Sequence, residues 1–260
     1  MNVQNFFNEN EQPLDQFPEN GGFAAIFRTI ACVGDSLSSG EFESIDSEGK
    51  THCHDLFEHS WGQYMARAMG SKVYNFSRGG MTAKVYNETF GEEKGFWDPA
   101  LAADAYVMAL GVNDILNRRW ELGTPADIRE DWRENADTFA GHYGALIQRY
   151  KEIQPKAKFF LMTMANYPTD HKHFNNVERH AALLHELAEL FPNTYVLDIR
   201  RHGPVHDLAF KEKFYMGGHL NPMGYLLMGR ITMAYIDYII RHDPQSFKEV
   251  GFIGTDLKYY

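Results

Sequence analysis

Two cysteines, Cys32 and Cys53, are all that the 260 residues contain. No disulfide framework can hold such a chain, and reducing or oxidising conditions are both permitted. Gly and Pro number 22 and 10, too few for a disordered or collagen-like polymer. Basic residues are in deficit: 25 Lys and Arg against 35 Asp and Glu leave a net charge of −10. Nucleic-acid binding and docking on an anionic membrane both need a basic face, so neither partner is expected. No apolar run approaches the roughly 20 residues of a membrane span. The opening MNVQNFFNENEQPLDQ lacks the basic start and apolar stretch of a signal peptide. The expectation is a cytoplasmic protein, with secretion left open for a chain whose leader has been removed.

Ordered pattern begins at Thr29. Residues 1–28 read as a polar lead-in, 29–243 as one domain and 244–260 as a C-terminal tail. Thr29–Val33 is short, apolar and ends in Gly-Asp-Ser, the signature of a buried strand feeding a loop. Further strands are predicted at Lys72–Ser77, Ala105–Leu110, Lys158–Ala165 and Thr194–Ile199. Helices are predicted over Ser60–Met69, from Thr82, over Ile128–Ile153, over Asn175–Leu190 and over Pro222–Ile240. Five strands without polar alternation, interleaved with helices, indicate a parallel sheet covered on both faces. Ligands of such sheets bind at the carboxyl ends of the strands. The loops opening at Gly34, Ser77, Gly111, Ala165 and Arg200 are therefore where chemistry is sought.

Four segments stand at those positions: Gly34-Asp35-Ser36-Leu37, Asn75-Phe76-Ser77-Arg78-Gly79-Gly80, Gly111-Val112-Asn113-Asp114 and Gly218-His219-Leu220-Asn221-Pro222. Singly, each has a plain structural use. Ser36 can cap a helical turn, Gly80 can serve a positive φ, and Asn113-Asp114 is ordinary turn material. Their joint order resembles the blocks of the SGNH (GDSL-type) hydrolases, spanning Gly34 to Pro222. The resemblance implies a single-domain, flavodoxin-like α/β/α sandwich with a five-stranded parallel sheet. It also implies Ser36 as nucleophile and His219 as its base. The Ser36 and Gly80 amides and the Asn113 side chain would then form the oxyanion hole, with Gly80 preferred because Asn75–Thr82 follows the family's Asn-x-Ser-x-x-Gly-x-Thr pattern.

The chemistry requires these residue types. A serine hydroxyl needs a neutral imidazole to take its proton. An Asn amide donates to a developing oxyanion, whereas an ionised Asp could only accept. In one place the chain departs from the family. The Asp expected three residues before the histidine is replaced by Met216. The Met216 backbone carbonyl is expected to orient His219 in its place, with Asp198, Asp207 and Glu212 as competing acceptors.

The remaining features have unremarkable readings. His52, His54 and His59 cluster with Asp55 and Glu58, but their spacing fits no standard zinc pattern and no metal or cofactor is called for. Cys53 reads as an inert thiol. His171, His173, Trp120 and Arg118-Arg119 stand where a pocket wall is expected, although surface loops explain them equally well. Asp127–Glu134 reads as a solvated helix face. The expected activity is a serine esterase releasing short acyl groups, acetyl foremost, from carbohydrate or other polar esters. The alternatives are a lipid-directed acylhydrolase and a non-catalytic carbohydrate-binding protein on the same fold.

Overall fold

The computed structural model describes residues 8–259; the first seven residues of the lead-in and Tyr260 of the tail lie outside the described residues. Five parallel strands form the central sheet: β1 (Thr29–Gly34), β4 (Lys72–Ser77), β5 (Ala105–Ala109), β6 (Lys158–Met162) and β7 (Thr194–Leu197), in the order β4-β1-β5-β6-β7. A hairpin of β2 (Glu41–Ile45) and β3 (Thr51–Asp55) follows β1, and a two-residue pair, β8 (Tyr215–Met216) and β9 (His219–Leu220), lies late in the chain. This is the flavodoxin-like order, and its crossover reversal lies between β1 and β5.

Alternate strand residues face opposite sides, and both sides are buried. Ala31, Val33, Tyr106, Met108, Phe159 and Leu161 share one apolar layer with Tyr143, Leu146, Leu183 and Leu187. Ile30, Cys32, Ala105, Val107, Phe160 and Met162 share the other with Trp61, Met65, Tyr225 and Ile236. A strand buried on both faces has no polar alternation, which is why these segments read as continuous apolar runs.

Single turns α1 (Ser36–Ser39), α3 (Ala83–Val85) and α4 (Gly91–Glu93) follow β1 and β4. The covering helices are α2 (Trp61–Met69), α5 (Phe139–Ile153), α6 (Phe174–Leu190) and α9 (Pro222–His242), while α7 (Ile199–His202) and α8 (Leu208–Phe214) lead from β7 toward His219. No helix among the described residues is long and apolar enough to cross a membrane.

Strands β6 and β7 end at Met162 and Leu197, short of the predicted Ala165 and Ile199, and the largest difference from expectation is the start of α5. The helix predicted from Ile128 begins only at Phe139, and 127–134 is no helix face. Short polar side chains divert the backbone there: Thr124 and Asp127 close a capping box, Asp131 caps a 3₁₀ turn, and Thr138 accepts from Gly141 N at the true helix start.

The segment preceding β1 is anchored to α9, whose first turn follows His219. Arg241 Nη2 donates to Glu11 Oε1 at 2.7 Å and Arg241 Nε to Asp237 Oδ2 at 2.7 Å, while Asp237 Oδ1 accepts from Phe23 N at 2.6 Å. All three charged side chains are buried. Removing Glu11 breaks two charge-assisted bonds inside this buried network, which costs far more than losing a surface pair. Glu11→Ala should therefore lower unfolding stability by about 3 kcal/mol in urea titration; a change within about 0.5 kcal/mol, the range of ordinary surface substitutions, would show that the network does not anchor the segment.

Candidate active site

β1 ends at Gly34, and the chain turns at once into α1. Asp35 caps this turn, its Oδ1 accepting from Leu37 N at 3.1 Å, which leaves Ser36 as the first helical residue. A Cβ at position 34 would overlap the Ser38 side chain, so glycine lets the turn pack directly against the strand end. After β4, Gly80 adopts φ +70°, with open space where a Cβ would stand. The left-handed backbone, rather than a close approach, is what requires glycine there.

After β5, the turn Val112–Asn117 carries Asn113. Asn117 Nδ2 donates to Asn113 Oδ1 at 2.8 Å, and Asn113 Nδ2 donates to the Met81 carbonyl at 3.1 Å, with Asp35 Oδ2 at 3.4 Å. These contacts set the amide with its donor side toward the loops after β1 and β4. Asp114, completely buried, accepts from Ala83 N at 2.9 Å and ties the Gly80 loop to the Asn113 turn. Ser36, Gly80, Asn113 and His219 all line one cavity of about 430 Å³, with Asn117, Tyr167, Lys211 and Tyr215 on its walls. The four positions singled out in the sequence meet in space.

The histidine is held differently from expectation. Its Nδ1 lies 2.8 Å from Oε1 of Glu43, and the same oxygen accepts from Gly218 N at 2.9 Å. The acceptor is thus a carboxylate from β2, 176 residues away, and not the Met216 carbonyl. None of the three competing acids takes that place. Asp198 caps α7 and pairs with His185 at 2.9 Å, Asp207 caps α8, and Glu212 is exposed.

A second carboxylate faces the other ring nitrogen: Glu41 Oε1 is 3.2 Å from His219 Nε2, the atom that would take a proton from Ser36. Glu41 and Glu43 are two apart on β2, so both point to the same face of the strand. Three glycines make room for them. A Cβ at Gly79 would lie 2.0 Å from Glu41 Oε2, one at Gly217 2.1 Å from Glu43 Oε2, and one at Gly218 2.7 Å from Glu43 Oε1. The Tyr225 hydroxyl donates to the Glu41 carbonyl at 2.7 Å and fixes the strand against α9.

Sequence reading passed over both glutamates. The available signals were their alternate spacing and the glycine pairs at 79-80 and 217-218.

The remaining candidates disperse. His52 pairs with Asp46 at 2.7 Å, His54 with the Ser44 hydroxyl at 2.8 Å, and His59 packs edge-on against Phe42. Cys53 is exposed, and the neighbouring Glu41 carboxylate raises its pKa, keeping the thiol protonated. His171 stacks on Tyr167 at the cavity wall.

Burial pushes the carboxyls of Asp35 and Asp114 up to about 7. For Asp35, the Leu37 amide and the His219 charge oppose that rise, while Glu41 adds to it.

The sequence matches the GDSL-like lipase/acylhydrolase family over residues 32–227. The chain belongs to that family. The matched span takes in Ser36, Gly80, Asn113 and His219. No curated protein matches the sequence itself.

Among solved structures, this GDSL-like chain is similar to Est24, a carbohydrate acetylesterase from Sinorhizobium meliloti, with 16% identity, a TM-score of 0.53, and 82% of this chain and 99% of that one covered. It is similar also to a family two carbohydrate esterase from Clostridium thermocellum in complex with cellohexaose (14% identity, TM-score 0.55, 84% and 65% covered). A third likeness is to TesA (14% identity, TM-score 0.52, 85% and 99% covered). At these identities the likeness shows the shared fold.

Two outcomes follow for the GDSL-like site. Glu43→Gln should slow fluorophosphonate labelling of Ser36 by about 10²–10⁴, the scale of neutralising a triad acid, whereas Met216→Ala should leave it within about threefold; the reverse ranking would return the role to the carbonyl. The second outcome concerns pH. A carboxyl whose folded pKa is raised keeps a proton that the unfolded chain releases near pH 4. The stability it contributes is complete below pH 4 and is lost as pH rises through about 7. Asp114→Asn keeps an acceptor for Ala83 N without titrating, so its Tm should fall less than the parent's between pH 4 and 7; parallel curves would contradict a protonated Asp114.

Proposed function

We propose that the protein is a serine ester hydrolase that removes short acyl groups, acetyl foremost, from carbohydrate or similar polar alcohols. The observation carrying this reading is the convergence of Ser36, Gly80, Asn113 and His219 on one open cavity from four separate segments. In the proposed reaction, Ser36 Oγ bonds to the ester carbonyl carbon while its proton passes to His219 Nε2. The Ser36 and Gly80 amides and Asn113 Nδ2 hold the oxyanion. The carbonyl–alkoxide bond then breaks, and the alcohol leaves with the proton from Nε2. Water attacks the acyl-enzyme by the same route, its proton returning through His219 to Ser36. Glu43 holds Nδ1–H throughout, so that Nε2 is the basic atom.

The short-acyl preference has its own support. A second cavity, of about 70 Å³, adjoins the first and shares Asp35, Leu37, Tyr167 and Tyr215 with it. Trp61, Met162, Met164 and Ile199 make its walls apolar. The volume is about half of the ~150 Å³ that holds benzene in an engineered core cavity, so it suits an acyl tail of a few carbons. The polar alcohol is then left for the open cavity. The carbohydrate esterases among the structural neighbours support the same class of substrate.

Aryl esters from acetate to palmitate, run beside acetylated oligosaccharides, test the reading. Turnover should be greatest from acetate to butyrate and fall steeply beyond; rising activity toward palmitate would select a lipid-directed hydrolase. Ser36→Ala should lose about 10⁶ in kcat, and Asn113→Ala about 10²–10³ with KM little changed. A Ser36→Ala variant within about tenfold of the parent would sink the serine mechanism, and absence of fluorophosphonate labelling of the parent would leave a binding protein on this fold.

A further inference from the structure

On the other side of the Val112–Asn117 turn lies a groove of about 500 Å³ that the proposed chemistry does not use. Ile115 and Leu116 of that turn line it, while Asn113 and Asn117 line the catalytic cavity, so one turn separates the two spaces. The groove is basic in a protein of net charge −10. Arg119, Lys172 and Arg179 line it with His173 and Trp120, and Glu121 is the one carboxylate among its lining residues. Among the described residues none of these three cations has an ion-pair partner, whereas nearby Arg200 pairs with Glu178 and Lys84 with Asp137.

The backbone that carries Arg119 is fixed. Arg118 N donates to the Asn113 carbonyl at 2.9 Å and Trp120 N to the Asp114 carbonyl at 2.9 Å. Between them Arg119 takes φ +56°, a conformation uncommon for a side-chain-bearing residue. From the other wall, Lys172 and His173 lead into α6, whose first turn receives no capping side chain. Burial first, and then the charges of Lys172 and Arg119, hold the His173 pKa below its ordinary range.

The catalytic cavity is more acidic, with Glu41 on its wall and Glu43 directly behind His219, and with Lys211 the one Lys or Arg among its lining residues. An anionic substrate would be repelled from that rim and drawn to the groove.

We infer that this groove binds the carboxylate of an acidic saccharide, so that the preferred ester is an acylated sugar chain containing uronic acid. Arg119 and Arg179 offer planar donor forks that match a carboxylate, and Lys172 adds a point charge. Trp120 supplies an apolar wall for a sugar ring. Placing the acyl group at Ser36 rests on the ester-hydrolase reading, but binding of the anion does not.

Calorimetric titration separates the two. Oligogalacturonate should bind the parent at least tenfold more tightly than a neutral oligosaccharide of equal length, with affinity falling as salt rises from 50 to 500 mM. Arg119→Glu/Arg179→Glu, both exposed positions, should abolish that preference while leaving turnover of 4-nitrophenyl acetate within about twofold. On acetylated galacturonate oligomers the same variant should lose about 10- to 100-fold in kcat/KM, one or two charge-assisted contacts. Equal affinity for acidic and neutral oligomers, or a preference surviving the double substitution, would overturn the inference. So would inorganic phosphate binding as tightly as the uronate, which would make the groove a phosphate site. Absence of aryl acetate turnover in the parent would instead count against the hydrolase reading, and the titration would still decide the groove.

Discussion

The 2.8 Å contact between His219 Nδ1 and the Glu43 carboxylate organises this site. It joins the end of the fold to its beginning and needs three supports. The β2–β3 hairpin must stand beside β9, which the Tyr225 bond to the Glu41 carbonyl helps to fix. The β8–β9 turn must be Gly217-Gly218, because any side chain there would occupy the carboxylate's place. Gly79 must yield the same room to Glu41. A glutamate reaches further than an aspartate, which lets an acid on a neighbouring strand reach His219 Nδ1. With Met at 216, that neighbouring strand is where the charge comes from.

The electrostatics divide along the Val112–Asn117 turn. On one side, carboxylates surround the histidine, and burial keeps Asp35 and Asp114 up near 7. On the other side, unpaired guanidinium and ammonium groups line an open groove. One turn thus places the Asn113 amide between an acidic cavity and a basic groove.

Much of this was legible in the sequence, for reasons that also explain what was not. Buried strands such as Thr29–Gly34 and Lys72–Ser77 show as apolar runs because both faces are covered, and their ends mark where loops with chemistry must lie. Local contacts at Ser36, Gly80 and Asn113 are written within a few residues of each strand end. The hairpin was hidden: Thr51–Asp55 is almost wholly exposed, and in Glu41–Ile45 the buried residues Glu41 and Phe42 are adjacent rather than alternating, so neither segment shows a period of two. Glu43 could not be paired with His219 by spacing, since the contact is made only when the hairpin folds over the carboxyl edge of the sheet. The helix start at Phe139 was misplaced for the opposite reason, an apolar periodicity running back through residues whose polar side chains hold the backbone in turns.

The account rests on Glu43 keeping a proton on Nδ1, and nitrogen-15 NMR of the His219 ring reads that atom directly. With the ring of the resting protein assigned by comparison with His219→Gln, Nδ1 should appear protonated, with a downfield proton that is lost or moves strongly upfield in Glu43→Ala. A neutral ring carrying its proton on Nε2 alone, with Nδ1 bare and unaffected by Glu43→Ala, would contradict the account.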